Sequence, residues 1–206
     1  MFPPLPVAPH FLRIMKISTS LLFAFCTLVA FHTTRATTVI PPTFDQLVSQ
    51  AELIFQGTVT DVQSQWTGEG AQRHIVSFVT FKIDEQIKGD AGVTYTLRML
   101  GGTVGDQTME VTDSPKFAAG DRDILFVENN GRQFVPLVGI MHGRFRVQRD
   151  AGSGREVVAN DHGGPVHDLA KLGTEDATAH TDAASESSLS AADFKVAIRS
   201  KLATAK

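Results

Sequence analysis

RHIVSFVTFKIDEQIKG, Arg73 to Gly89, decides how this chain is read. Ile75, Val79, Phe81 and Ile83 fall on odd positions and share one side of an extended chain. His74, Thr80, Lys82 and Asp84 face the other way. A period of two kept up this long belongs to a β-strand rather than a helix. Val76 and Phe78 break the alternation on the outer side, which predicts a cover or a docked partner there.

The neighbouring segments repeat that character. LIFQGTVTDVQSQW, Leu53 to Trp66, reads as a strand, with Gly57 at a bulge or a close backbone approach, and GEGAQ after it is turn material. GVTYTLRML alternates with Val93, Tyr95, Leu97 and Met99 inward. DILFVENNGRQFVPLVG, Asp123 to Gly139, predicts a hairpin turning through a type I′ turn at Asn130-Gly131. GRFRVQRDAGSGREVVAN predicts a second hairpin that turns between Ala151 and Gly154. Strands joined by short turns, with few helices, indicate an all-β, mainly antiparallel fold: an OB-like β-barrel or a small sandwich.

Two helices frame it. Thr43 is an N-cap for Phe44 to Ala51, where Phe44, Leu47, Val48 and Ala51 share a face. Ser190 caps a terminal amphipathic helix over 190–206, with a stripe of Phe194, Ala197, Ile198 and Leu202. That stripe predicts docking on the chain's own sheet. Between them, 37–172 is a domain of about 130 residues, long enough to bury a core. Residues 173–189, rich in Ala, Ser, Thr and Asp, predict a flexible linker.

The front of the chain has a different purpose. From Met15 it supplies Lys16, an apolar run from Leu21 to Phe31, and small residues at Thr34 and Ala36. That is the layout of a secretory signal peptide over 1–36, with Met15 the better initiator. The apolar run is shorter than the ~20 residues a membrane helix needs. The location expected is secreted or periplasmic, with no membrane span after cleavage. The only cysteine, Cys26, leaves with that segment, so disulfides, thiolate metal sites and cysteine nucleophiles are excluded from the mature chain. Cleavage would also remove three basic and no acidic residues, taking the formal net charge from −3 to −6. An acidic surface argues against nucleic acid as a partner.

Catalytic patterns are weak. RMLGGTVGD, Arg98 to Asp106, is glycine-rich after a strand, but no Lys and no helix follow. The glycines predict positive φ and a close crossing of backbones, not a phosphate cradle. No Gly-x-Ser-x-Gly elbow is present, and Ser153 belongs to a turn. Asp84 and Glu85 alternate across a strand, and Asp121 with Asp123 reads as solvated turn charge, so neither pair suggests a glycosidase. NDHGGPVHD gathers Asp161, His162, His167 and Asp168, to which His142 or His74 could be added. A metal-dependent enzyme or metal-binding module in the His142, His162 and His167 region is the alternative this raises. The spacing fits no standard motif, and an exposed loop accounts for it as well. No catalytic residue, metal or cofactor is therefore assigned. Trp66, the sole tryptophan, either anchors a contact or covers the core rim.

AELIFQGTVTDVQSQW, the long strand ending DEQIKG, TLRMLGGTVGD, PKFAAGDRDILFV and GRFRV together resemble a group of exported bacterial proteins with OB-like barrels. In outline that group is similar to the N-terminal domain of tissue inhibitors of metalloproteinases. The resemblance covers about Phe44 to Asn160. It implies a fold and a compartment, but no inhibitory residue, because those inhibitors use an N-terminal cysteine and disulfides that the mature chain would lack. The function expected is a non-enzymatic exported module that binds another secreted or envelope macromolecule, plausibly a protein, with Trp66, Val76 and Phe78 as contact residues. A structural envelope component with carbohydrate affinity is a further option, though a single Trp and a single Tyr leave little for sugar stacking.

Overall fold

The computed structural model describes residues 40–174 and 187–204, which belong to one compact unit, Val39–Lys206. The expected signal peptide and the middle of the expected linker lie outside the described residues. Among the described residues no helix is long and apolar enough to cross a membrane.

The fold is mainly antiparallel β. Six strands, β1 (Leu53–Thr67), β2 (His74–Lys88), β3 (Thr94–Leu100), β6 (Arg122–Val127), β7 (Arg144–Arg149) and β8 (Glu156–Ala159), form one sheet in the order β3-β2-β1-β6-β7-β8. A separate two-stranded hairpin, β4 (Gly102–Val104) with β5 (Gln107–Met109), completes the strands. Strands β3 and β8 end the sheet, so the ladder does not close into a barrel. The gap between β6 and β3 is spanned instead by the loop after β6. Val127 bridges to Leu137, Leu100 N–H donates to Phe134 O, and the Asn130 amide reaches Tyr95 Oη and Thr96 O.

Both faces of this sheet are covered. On one, Ile54, Ile124, Phe126, Phe145 and Val158 pack under α1 (Phe44–Gln50) and α2 (Ala191–Thr204), with Leu47, Val48, Phe194 and Ile198 from the helices. On the other, Phe55, Val59, Val79, Phe81, Leu97, Met99 and Leu125 pack with Val135, Leu137 and Phe117 from the loops. A strand buried on both sides has no need to alternate, which is why LIF and ILFV are continuous apolar runs.

Bulges set which residue faces where. Gly57 lies beside a register shift, and a Cβ there would stand 2.9 Å from the Lys82 carbonyl oxygen, so the close approach is real. The same shift pairs Gln56 with Glu85 and Gly57 with Ile83, leaving Asp84 as the extra residue. Strict alternation of Asp84 and Glu85 therefore fails. Asp84 accepts from Thr58 Oγ1, while Glu85 pairs with Lys195 and Arg199 of α2.

The helices form where their caps allow. Thr43 and Gln46 make a reciprocal capping box at the start of α1, and Lys88 Nζ closes its other end by donating to the carbonyls of Val48, Ser49 and Ala51. Ser190 Oγ accepts from Asp193 N–H at the start of α2. The docking of α2 on the chain's own sheet agrees with its apolar stripe, since Phe194 and Ile198 are fully buried.

Three sequence expectations are corrected. Asn130-Gly131 is not a type I′ turn: positive φ falls at Asn129 and Gly131, and Pro136 interrupts the donors of the returning arm, which makes only an isolated bridge. Val93 precedes β3 and is 79% exposed rather than inward. The linker ends earlier than expected, because Leu189 N–H donates to Val166 O and Leu189 O accepts from Val158 N–H.

Candidate binding clefts

The glycine loop builds the first cleft. Gly101 and Gly102 have φ of 96° and 134°, and Gly101 N–H donates to Ile75 O, so the chain leaves β3 and crosses over β2. A Cβ on Gly102 would run into the hydroxyls of Ser64 and Ser77, so only glycine lets the crossing come this close. No helix follows. The β4–β5 hairpin turns at Gly105-Asp106 and lies over the sheet, as the sequence reading of crossing backbones expects.

Under that crossing is a cleft of about 350 Å³. Val62, Val79, Met99, Met109, Val111 and Phe117 supply its apolar wall. Ser64 and Ser77, beneath the crossing, hold each other. Ser77 Oγ donates to Gly101 O at 2.7 Å, which commits its single proton; the 2.8 Å contact with Ser64 Oγ is then donated by Ser64. Among the described residues these two hydroxyls bond to each other and to the Gly101 carbonyl, with no histidine or carboxylate bonded to either. At the rim, Lys116 Nζ and Glu110 pair at 2.7 Å in the open.

On the far side of the Ser114–Lys116 segment lies a second, polar cleft of about 280 Å³, lined by Asp113, Lys116, Arg144, Arg146, Asp161 and His162 among others. Its floor is Arg144, the most unexpected residue in the molecule. The side chain is 1% exposed, and all five guanidinium donors are used: Nε to Asp123, Nη1 to Lys116 O and Asp161, Nη2 to Asp121 and Asp123. The guanidinium also lies 4.1 Å from the centre of the Phe117 ring. Strand β7, strand β6 and the loops at 116–121 and 161 are thus pinned to one cation.

Asp123 is fully buried, so the reading of it as solvated turn charge is wrong. Burial pushes its carboxyl up to about 6 despite the opposing pull of Arg144, and Asp121 adds to the rise. Arg144 itself is held above its usual range: burial, the largest influence, works against its charge, but Asp123, Asp161 and Asp121 outweigh it. The sequence carried one usable signal. Asp123 sits in the same strand phase as Leu125 and Val127, and Arg144 pairs in register with Leu125, so both occupy core positions.

The residues expected to bind are not one surface. Trp66 is half-buried opposite Ile75, on the cleft side of β1, with the Arg73 guanidinium 4.3 Å from its ring centre. Val76 is fully buried and offers no contact area. Phe78 is half-buried opposite Gln63, on the other side of the sheet from Ser77 and Val79. The histidines do not converge either. His162 is exposed in the second cleft; half-buried His142 is pushed below its usual value, by burial first and then by neighbouring His162. His167 Nδ1 is buried without a partner. Among the described residues no group of three or more His, Cys, Asp or Glu is placed to hold a metal ion.

No family model, curated protein or solved structure matches the chain.

Proposed function

We propose that this chain is an exported, non-enzymatic β-module of OB-like architecture that binds another secreted or envelope protein in the cleft between the sheet and the β4–β5 hairpin. The observation that carries the reading is that cleft's make-up: a preformed, mainly apolar hollow in which Ser64 and Ser77 are spent on each other and on a backbone carbonyl. Such a site can bury an apolar side chain, and the two titratable groups in its lining, Glu110 and Lys116, pair with each other at the exposed rim. A glycan would need free aromatic faces, and the one ring in the lining, Phe117, already carries Arg144. Secretion rests on the composition of residues 1–36. The OB-like reading is supported by the long bulged β1, which pairs with both β2 and β6.

The test is capture from the host's exported fraction by tagged chain, alongside Val111→Asp, which places a charge on the half-buried cleft wall. The expected result is one protein retained by the wild type and lost by the variant, at unchanged melting temperature. Equal capture by both, or none by well-folded wild type, overturns the reading.

A further inference from the structure

Strand β1 is paired on both edges for only half its length. Its ladder with β6 ends at Thr58–Arg122, and the last bonds on that side are Val59 N–H to Asp121 O and Gly120 N–H to Val59 O, each 2.8 Å. Strand β2 continues alongside the other edge to Thr67. Among the described residues nothing pairs with the outer edge of Asp61–Thr67. An open row of backbone donors and acceptors is a template for another strand, and proteins that must stay single blunt it with Pro, Lys or a covering loop. The sequence DVQSQWT has neither Pro nor Lys, and Asp61, Val62, Gln63 and Gln65 are exposed.

The chemistry of this edge is self-complementary. Turned antiparallel to a copy of itself about Ser64, it sets Val62 opposite Trp66, Gln63 opposite Gln65, and Asp61 opposite Thr67. The first is an apolar–aromatic cross-strand pair, the second an amide pair, the third a carboxylate facing a hydroxyl. No like charges meet. Moving the axis by one residue either way puts Val62 or Trp66 opposite a serine.

We propose that the Asp61–Thr67 edge of β1 pairs with the same edge of a second copy of this chain, about a two-fold axis at Ser64. The contact is isologous and closes, so it yields a dimer rather than a filament. It also extends the binding cleft: Val62 and Ser64 line that hollow, so the partner's Trp66 comes to stand beside Val62 at its mouth. This interface does not depend on what the cleft binds.

The experiment is sedimentation of the purified full chain and of two double variants at exposed positions, Q63K/Q65K and Q63E/Q65E. In the proposed register each variant alone sets like charges opposite one another at both amide pairs, while a mixture sets Lys against Glu. Wild type is expected as a dimer whose melting temperature rises with concentration, each variant alone as a monomer that still melts cooperatively at a concentration-independent temperature, and the mixture as a heterodimer. Register is read separately by disulfide formation in a Cys26→Ser background: Gln63→Cys mixed with Gln65→Cys cross-links, and neither does so alone, because the diagonal pairs are too far apart. A monomeric wild type at micromolar concentration overturns the proposal, including the case where a foreign extended segment takes the edge. A dimer that survives Q63K/Q65K overturns it too.

Discussion

Asp123 shows how much can depend on one carboxyl group. Three aspartates share the Arg144 guanidinium, with Arg146 at the margin 3.7 Å from Asp121, and Asp123 is the most deeply placed of them. Its carboxyl titrates near 6 in the folded chain against an ordinary 3.8. Above pH 6 the group is charged in both states, and the folded state bears the desolvation cost. As the pH falls from 6 towards 3.8 the folded chain takes up the proton before the unfolded chain does, so this group adds stability with acidification, about 3 kcal/mol at the limit. His142 works the opposite way, since burial lowers its affinity for protons and stability drains away below its usual value. Comparison with Asp123→Asn isolates the first effect. Urea unfolding should show the wild type gaining on the variant as pH falls through that window; a constant difference across it would mean that Arg144 keeps the carboxylate charged. None of this network was visible as a motif. Its members lie at 116, 121, 123, 144 and 161, and only the strand phase of Asp123 and Arg144 hinted that charge was entering the core.

At the scale of elements, the sequence was most legible where geometry is local. The Thr43 and Ser190 caps and the turn after Asp150 depend on a few adjacent residues, and the glycines at 57 and 101–102 mark close approaches without naming what they approach; each is where the pattern puts it. Where a partner far along the chain decides the outcome, reading failed. Nothing near Asn130 announces that its side chain will be used to tie down β3, or that the bulge at Asp84 will undo alternation. The glycine crossing gives a sharp test of the local argument. At Gly102 a side chain must adopt φ of 134° and also displace the Ser64 and Ser77 hydroxyls. Gly102→Ala should therefore cost more than about 1 kcal/mol, beyond the ordinary gain from stiffening the unfolded chain. Gly105 has positive φ but open space around it, so Gly105→Ala should cost less. Equal costs in chemical denaturation would show that backbone strain, and not the crossing, sets the requirement for glycine.

For the whole molecule, the decisive fact is that both faces of the sheet need covers, and the cover on one face comes from the two ends of the described chain. Helix α1 stands directly before β1, whereas α2 is the last element, and the rings of Phe126, Phe145 and Phe194 meet between them. Lys195 and Arg199 fasten α2 to Glu85, Lys195 also reaches Gln56, and Lys201 reaches Asp45 on α1. Burying Phe194 and Ile198 alone contributes about 3–6 kcal/mol, a large share of the 5–15 kcal/mol that holds a domain together. Without the helix, Phe126, Phe145 and Ile124 would lose the larger part of their cover, with only the two-turn α1 and nearby loops left on that side. A chain ended before Ser187 should therefore lose its cooperative thermal transition and become sensitive to protease, even though every strand is still present. The ion pairs contribute less: Lys195→Ala leaves the apolar stripe in place and should only lower the melting temperature, with Glu85, whose carboxyl Lys195 and Arg199 hold below its usual value, left to Arg199. If the shortened chain instead melts cooperatively near the wild-type temperature, α2 is an accessory resting on a self-sufficient sheet, and the two-sided core is not what stabilises the fold.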